Sequence, residues 1–215
     1  MKWDWSVVDE FMPRFWDGVV VTLQALAIGS LIAFTLGLVW AIAQRSTLKW
    51  VSWPVTAVTE FIRNTPLLVQ LFFLFYVVPE WGPSMSPLTT GIVGLGLHYS
   101  TYTAEVYRAG INGVPIGQWE AATALSLPKS RTWGAVILPQ AIRRVVPALG
   151  NYVVAMLKDS PMIAVIGAFE MLGEAQAYSN ETFTTEALTV VGVAFIVIAY
   201  PASLLLRALE RRLVQ

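Results

Sequence analysis

Two long stretches of this chain carry no charged side chain. The first covers residues 18–43 and the second covers residues 187–206. A helix of about 20 mostly apolar residues is long enough to cross the hydrocarbon core of a lipid bilayer. Charged residues make up only 13% of the chain, about half of their usual share in a soluble domain. The sequence therefore predicts an all-α integral membrane protein that contains at least these two spans.

Three further segments are apolar but are interrupted by polar residues. The first reaches full length only when the short apolar run 66–79 is extended backward to residue 53, across Glu60 and Arg63. The other two cover residues 88–104 and 145–168. Each is long enough for a membrane helix. We therefore expect five transmembrane helices in a single membrane domain that comprises residues 1–215.

The distribution of lysine and arginine predicts how these spans are oriented. Basic residues concentrate in the cytoplasmic loops of membrane proteins. One side of the predicted membrane domain has only two basic residues, Lys2 and Arg14. The acidic run 1–17 on that side is not typical of a signal peptide. The other side has most of the basic residues, which are Arg45, Lys49, Arg63, Arg108, Lys129, Arg131, Arg143, Arg144, Arg207, Arg211 and Arg212. We therefore expect a retained first span, an N-terminus outside and a cytoplasmic C-terminus. An odd number of spans agrees with this, because it places the two ends on opposite sides.

The segment between the third and fourth predicted spans, about residues 107–146, is much longer than the other loops. Loops of this length without secondary structure are uncommon in compact domains. Its composition predicts a short helix over 118–125, ended by Pro128, and a second helix from Lys129 or Ser130 up to Leu138 and Pro139. Two interpretations of the short helix are open at this point, because it can bind a partner protein or rest on the lipid surface.

The residues of this loop follow a specific spacing. Glu120, Ala121 and Ala122 are followed, sixteen residues after Ala122, by Leu138 and Pro139. The pattern resembles the EAA loop of binding-protein-dependent ABC importer permeases. In that family the pattern is Glu-Ala-Ala, three residues, Gly, nine residues, Ile, one residue, Leu-Pro. The spacing of this chain matches that pattern throughout.

Two positions depart from the family pattern, and other segments match one branch of the family. Ser126 stands where the family usually has glycine, which costs some backbone freedom at the bend, and Val136 stands where it has isoleucine. Residues 61–72, 102–111 and 157–160 resemble the polar amino acid branch. Residues 179–183 are more weakly similar to the ectoine and hydroxyectoine permeases.

The resemblance implies a fold, a function and a set of partners. The fold is the MetI-like ABC importer type, with five transmembrane helices and a cytoplasmic coupling helix in the loop of about residues 115–139. The implied function is ATP-driven import, by alternating access, of a polar amino acid or an amino-acid-like compatible solute such as ectoine or hydroxyectoine. The chain has no Walker A sequence, so ATP and Mg are expected on a separate ATPase, and no cofactor or catalytic residue is expected on this chain.

Four kinds of partner follow from the same resemblance. They are a second permease copy or a paralogue, two cytoplasmic ABC ATPase subunits, an extracytoplasmic solute-binding protein, and the lipid of a bacterial cytoplasmic membrane. We expect the ATPase contact at Glu120, Ala121, Ala122, Ser126, Leu138 and Pro139.

Polar residues inside the predicted spans are candidates for the solute path, because polar groups inside a membrane are costly and often functional. Structural interpretations remain open: Lys158 and Asp159 satisfy each other or the backbone, His98 is a packing residue, Glu105 and Arg108 form an ion pair, and residues 63–66 bend the second span. The candidates are Lys158, Asp159, Ser160, His98, Tyr102, Thr103, Arg63 and Thr65.

Composition excludes several other classes of function. The chain has no cysteine and a single histidine, which excludes thiolate or His-rich metal sites and a cysteine nucleophile. Its formal net charge is zero, so no nucleic-acid partner is expected. A membrane-embedded enzyme would need a cluster of catalytic side chains within the spans. A channel or a secondary transporter that works without an ATPase is the alternative that stays open.

Overall fold

A computed structural model describes residues 3–214, and its regular structure in that range is helical throughout. Lys2, which entered the charge argument, lies outside the described residues. Two π-helical turns, Phe73–Val77 and Thr132–Ile137, and two 3-10 turns, Val78–Glu80 and Ser160–Ile166, extend neighbouring helices. The helices are α1 (Trp5–Gln44), α2 (Lys49–Asn64), α3 (Leu67–Phe72), α4 (Pro87–Asn112), α5 (Ile116–Ala124), α6 (Lys129–Arg131), α7 (Leu138–Asp159), α8 (Met171–Thr182) and α9 (Glu186–Val214).

The two central helices, α1 and α4, run parallel to each other and approach closely. A Cβ atom added to Gly29 would lie 3.6 Å from Leu95 Cβ, and one added to Gly37 would lie 2.8 Å from the carbonyl oxygen of Ser100. Farther along, Arg108 Nη1 donates to Gln44 Oε1 over 3.2 Å. Small residues permit such close contact because no bulky side chain separates the two helix backbones. The sequence places glycine where the backbones meet.

The other long helices alternate in direction around this pair. Gln70 of α3 lies beside His98 of α4. The next residue, Leu71, lies beside Gly94, which comes one turn before His98 in α4. In the same way Gly110 packs against Val145 at the start of α7, whereas Gly91 packs against Ile163 beyond its end. Therefore α3 and α7 both run antiparallel to α4.

Helix α9 returns in the direction of α1. Its first residues, Ala187 and Val191, belong to one apolar cluster with Phe11 and Phe15 near the start of α1. Its later residue Leu206 packs against Gly150 of α7. The two ends of the chain consequently lie at opposite ends of the helix bundle.

Helix α8 was not anticipated from the sequence, which suggested only a short loop there. It packs on the first turns of α1 through the same apolar cluster, with Met171, Ala175 and Tyr178 buried. Glu181 of α8 accepts two hydrogen bonds from the Arg14 guanidinium, at 2.9 and 2.7 Å. Helix α8 has low apolar content of its own, and its burial depends on partners far away in the chain.

The second predicted span is not a continuous helix. The chain turns by 105° between α2 and the segment Leu67–Glu80. Pro66 has no backbone N–H, and the residue before a proline avoids helical angles, as Thr65 does with φ −97° and ψ 133°. The predicted bend at residues 63–66 is therefore confirmed, and the second predicted span consists of two helical segments on either side of it.

Length and hydropathy alone support fewer spans than five. Within residues 3–214, three helical segments are long and apolar enough to cross a membrane: Trp5–Gln44, Lys129–Ile166 and Glu186–Arg212. The bent pair of α2 and Leu67–Glu80 would make a fourth span if it is counted as one. Helix α4 is 26 residues long but is not among them. Five spans stay a prediction.

The second helix of the long loop continues much farther than expected. It begins at Lys129, as predicted, but does not end at Leu138 and Pro139, because it runs through the π-helical turn Thr132–Ile137 into α7. Pro139 falls in the first turn of α7, where the wider π-helical turn precedes it and a missing N–H disrupts few hydrogen bonds. The α-helix of the fourth predicted span, 145–168, ends at Asp159.

Candidate functional site

The short helix α5 rests on the beginning of the α6–α7 segment. Trp119 of α5 meets Trp133 edge to face, with ring centroids 5.2 Å apart. Ala122 is only 3% exposed, so it faces this chain. Glu120 and Ala121 are exposed on the opposite side of the helix. Of the three residues of the EAA motif, two are thus available to another protein and the third holds the helix in place.

A left-handed residue ends helix α5. Ser126 has φ +52° and stands at the position where the resembling family usually has glycine. Around it, Leu127 N donates to Ala122 O over 3.0 Å and Ser126 N donates to Thr123 O over 2.9 Å. This pair of hydrogen bonds is the Schellman arrangement, in which the left-handed residue reverses the chain after a helix. The bend proposed at residue 126 is therefore present, with serine in the glycine conformation.

An open hollow lies beside this turn. It has a volume of about 510 Å³ and is lined by Trp119, Ser126, Lys129 and Trp133 among others. Leu138, which is 40% exposed, and Pro139, also exposed, lie one π-helical turn farther along. Of the expected contact residues, Glu120, Ala121, Ser126, Leu138 and Pro139 are therefore exposed, whereas Ala122 is buried.

A second group of polar residues lies inside the bundle, where α4 meets α7. The Tyr99 hydroxyl donates to Asp159 Oδ2 over 2.6 Å. The rings of Tyr99, Tyr102 and Tyr152 form a cluster, with centroids between 5.7 and 6.0 Å apart. A carboxylate beside several aromatic faces is an arrangement that can hold a cationic group.

Gln70 connects this cluster to the bend between α2 and α3. Its Nε2 donates to Ile62 O over 2.7 Å and to Thr65 O over 2.9 Å. The same atom lies 3.0 Å from His98 Nδ1. Tyr102 supports the bend from the other side, because its hydroxyl donates to Arg63 O over 3.2 Å.

Charged residues surround the inner end of the same region. Arg63 forms ion pairs with Glu60, which precedes it by one turn, and with Glu105 of α4 at 3.4 Å. Arg108 also contacts Glu105, at 2.8 Å, as the spacing of these two residues predicts. These carboxylates and guanidinium groups are partly exposed, so they form a polar rim in which both signs of charge are available.

The structure brings together some of the predicted path residues and separates others. His98, Tyr102, Arg63, Thr65 and Asp159 lie in the connected region just described. Lys158 is exposed and, within residues 3–214, forms no ion pair with Asp159. Lys158 and Asp159 therefore do not pair with each other in this structure, and Asp159 accepts from Tyr99 instead.

The hydroxyl groups of two predicted path residues serve helix packing. Thr103 Oγ1 donates to Ala33 O of α1 over 2.7 Å. Ser160 is fully buried and its hydroxyl donates to Leu157 O over 2.9 Å. Gln70 and Tyr152 were not singled out from the sequence. An isolated glutamine in the apolar run 66–79 is the signal that would have identified Gln70.

A buried carboxyl group outside this region was also missed. Glu170 is fully buried at the start of α8, and its Oε1 accepts from Gly173 N over 2.9 Å. Burial raises the pKa of Glu170 to about 7. Between residues 3 and 214 no cluster of three or more His, Cys, Asp or Glu side chains has the arrangement of a metal site.

Residues 33–215 match the protein family described as "Binding-protein-dependent transport system inner membrane component". The chain belongs to this family. A probable amino-acid ABC transporter permease of Sinorhizobium fredii is 45% identical over 200 residues, which cover 93% of this chain and 87% of that protein. The L-cystine transport system permease protein of Bacillus subtilis is 31% identical over 212 residues, which cover 97% of this chain and 91% of that protein.

Solved structures agree with this assignment to the inner membrane component family. A crystal structure of an amino acid ABC transporter with histidines has a chain that is 33% identical, with a TM-score of 0.93 and coverage of 99% of this chain and 100% of that one. The methionine ABC transporter MetNI is 17% identical with a TM-score of 0.74 over 95% of this chain and 97% of that one, which shows the shared fold alone. The chain is therefore an inner membrane permease component with the MetI-like fold.

Proposed function

We propose that this chain is the permease subunit of an ABC importer that moves a polar amino acid across the bacterial cytoplasmic membrane. The observation that carries the proposal is the geometry of α5. One side of this helix packs against the rest of the chain through the buried Ala122 and the contact with Trp133. Glu120 and Ala121 are exposed. Family membership and the amino-acid permeases among the relatives support the choice of function.

In the proposed topology five segments cross the membrane, with the N-terminus outside and the C-terminus in the cytoplasm. The alternating directions of α1, α3, α4, α7 and α9 support it, because α1 and α4 are parallel and α3 and α7 oppose them. The positive-inside distribution of arginine and lysine supports the assignment of sides.

Helix α5 would transmit the movement of the partner ATPase to the membrane helices. It packs in one apolar cluster with Val114, which follows α4, and with Ile137 and Ala141, at the start of α7. A force on Glu120 and Ala121 would therefore reach α4 and α7 together. ATP and Mg would bind the two ATPase subunits, and a second permease copy or a paralogue would complete the pathway.

The solute path is proposed to pass the polar cluster between α3, α4 and α7. Asp159 and Arg63 offer opposite charges, as a zwitterionic amino acid requires, and the rings of Tyr99, Tyr102 and Tyr152 lie close to Asp159. The relatives described above carry amino-acid names, so we propose an amino acid as substrate. Ectoine remains a prediction from the sequence alone.

Reversal of one exposed charge on α5 tests the proposal. We expect Glu120→Arg to reduce ATP-driven uptake of radiolabelled amino acids at least tenfold in proteoliposomes that contain the ATPase and the binding protein. Glu210→Arg near the end of α9 is the matched control, because it introduces the same charge change at another exposed site on the same proposed side. It should retain uptake.

Three outcomes would contradict the proposal. Normal ATP-driven uptake by Glu120→Arg would remove the coupling role of α5. Uptake that persists without any ATPase would favour a channel or a secondary transporter. A complex that hydrolyses ATP but moves no amino acid in the presence of any cognate binding protein would exclude the proposed substrate class.

A further inference from the structure

Helix α2 is oriented differently from the helices that it connects. The segment Leu67–Glu80 runs antiparallel beside α4, and α2 makes an angle of 105° with it. This angle is within about 15° of a right angle. If Leu67–Glu80 crosses the bilayer, as the proposed topology requires, α2 lies nearly in the plane of the membrane.

The level of α2 in the bundle is given by its contacts. Gln44, the last residue of α1, donates through Nε2 to Thr59 Oγ1 over 2.7 Å. Arg63, one turn later, pairs with Glu105 near the C-terminal end of α4. Helix α2 thus lies where the long apolar helix α1 ends, which corresponds to the cytoplasmic boundary of the hydrocarbon in the proposed topology.

The exposed surface of α2 contains large apolar side chains. Trp50, Trp53 and Phe61 are 74%, 72% and 72% exposed, and Val58 is 47% exposed. At 100° per residue these four side chains and Ala57 lie within one arc of the helix, which also includes the exposed last residue, Asn64. Thr59, on the opposite side, is buried against α1.

A polar arc adjoins this apolar arc. Lys49 and Thr56 are exposed and Glu60 is half-buried. At 100° per residue all three lie on one edge of the helix. Indole rings favour the lipid–water boundary because they combine an apolar body with one N–H group. An exposed apolar arc with two tryptophans, a polar arc beside it and a terminal lysine is typical of a helix that lies in a membrane interface.

We propose that α2 is an interfacial helix that binds the lipid of the inner leaflet, and not one half of a membrane span. Its apolar arc contacts acyl chains near the glycerol level, and Lys49 extends to the lipid phosphates. The inference rests on the proposed membrane topology. It adds a lipid-binding surface to the bend that Gln70, Arg63 and Tyr102 connect to the polar cluster.

Single-cysteine spin labelling tests the inference, because the natural chain has no cysteine. The variants Trp53→Cys and Phe61→Cys label the two ends of the apolar arc, Ala57→Cys provides a smaller change on the same arc, and Thr56→Cys labels the polar arc. Each full-length variant is reconstituted with its ATPase in vesicles of phosphatidylethanolamine and phosphatidylglycerol. The depth of the label is measured from its relative collision rates with oxygen and with a water-soluble nickel chelate.

We expect residues 53, 57 and 61 at one shallow depth inside the lipid, and residue 56 in contact with the nickel chelate. In a helix that crosses the bilayer, residues 53 and 61 would differ in depth by about 12 Å, and that result would overturn the inference. A second permease copy on this face would shield residues 53, 57 and 61 from both reagents, which would also overturn it.

Two labels in other helices separate a failure of α2 from a failure of the topology. Leu31→Cys in α1 and Ile196→Cys in α9 replace exposed apolar residues in the middle of long apolar helices. At least one of them should be deep in the hydrocarbon. If both are shallow, the proposed topology fails, whereas deep reference labels with residues 53 and 61 at different depths refute only the interfacial position of α2.

Discussion

Ser126 adopts a backbone conformation that glycine accepts at no steric cost. Its φ of +52° places it in the left-handed region, which costs an ordinary L-residue about 1–2 kcal/mol. The two hydrogen bonds of the Schellman turn offset part of this cost. The turn is therefore retained with serine, and the position of α5 relative to α6 depends on it.

We expect Ser126→Gly to stabilise the folded chain by about 0.5–1 kcal/mol, because glycine relieves the left-handed strain but adds entropy to the unfolded state. Thermal unfolding of the purified chain in detergent measures the effect. Ser130→Gly, within the helical residues of α6, is the control and should destabilise. A lower unfolding temperature for Ser126→Gly would show that the hydroxyl contributes more than the strain costs.

Glu170 should make stability depend on pH. Its pKa is raised by burial from 4.5 to about 7, so the folded chain favours the protonated carboxyl group more than the unfolded chain does. The resulting stabilisation is complete below the unfolded pKa of 4.5 and is lost as the pH rises through about 7.

We therefore expect the unfolding temperature of the natural chain to fall as the pH rises from 4.5 to about 7, the window between the two pKa values, and Glu170→Gln to remove much of this fall. The amide oxygen can still accept from the backbone N–H of Gly173. Glu80→Gln, at an exposed glutamate, should keep the natural pH dependence. Identical pH profiles for Glu170→Gln and the natural chain would exclude Glu170 as the source.

Among the elements, the contact between α1 and α4 tolerates the least change. Gly37 lies so close to α4 that an added Cβ atom would approach Ser100 O to 2.8 Å and Ala104 N to 3.1 Å, and would collide with the Thr103 hydroxyl. Two of these atoms belong to the backbone and cannot move alone. The separation of the two helices would have to increase.

We expect Gly37→Ala to destabilise the chain by about 1–3 kcal/mol through overpacking. Gly192→Ala is the matched control, because among the described residues nothing apart from its own helical turns lies within 4 Å of the added Cβ atom and alanine favours a helix. It should be neutral or slightly stabilising. Equal unfolding temperatures for both variants would mean that α1 and α4 separate at little cost.

The elements also differ in how well their limits could be predicted. Pro66 is a local break and was correctly assigned, because the missing N–H of proline acts on its own turn. Pro128 does not end α5 as predicted, because the helix already ends at Ala124, before the left-handed turn at Ser126. Pro139 did not end its helix, because a π-helical turn precedes it and the rest of the segment packs against α4 and α9. The same residue type thus has opposite effects in two packing environments.

For the whole molecule, the ends of the chain should lie on opposite sides of the membrane. We expect Trp5→Cys to react with a membrane-impermeant maleimide in intact spheroplasts, and Glu210→Cys to react only after the membrane is permeabilised. Both residues are exposed, so the structure does not hinder labelling. Reaction of both cysteines from the same side would contradict an odd number of spans.

Local features of the chain were sufficient to predict the apolar helices, the bend at residues 63–66 and a helix over 118–125, which the structure places at Ile116–Ala124. Each depends on a period, a proline or a spacing within a few turns. They were not sufficient to predict that α2 turns by 105°, that α8 packs on α1, or that Asp159 accepts from Tyr99 and not from Lys158. Those features join residues that are distant in the chain, and packing of the whole bundle determines which of them meet.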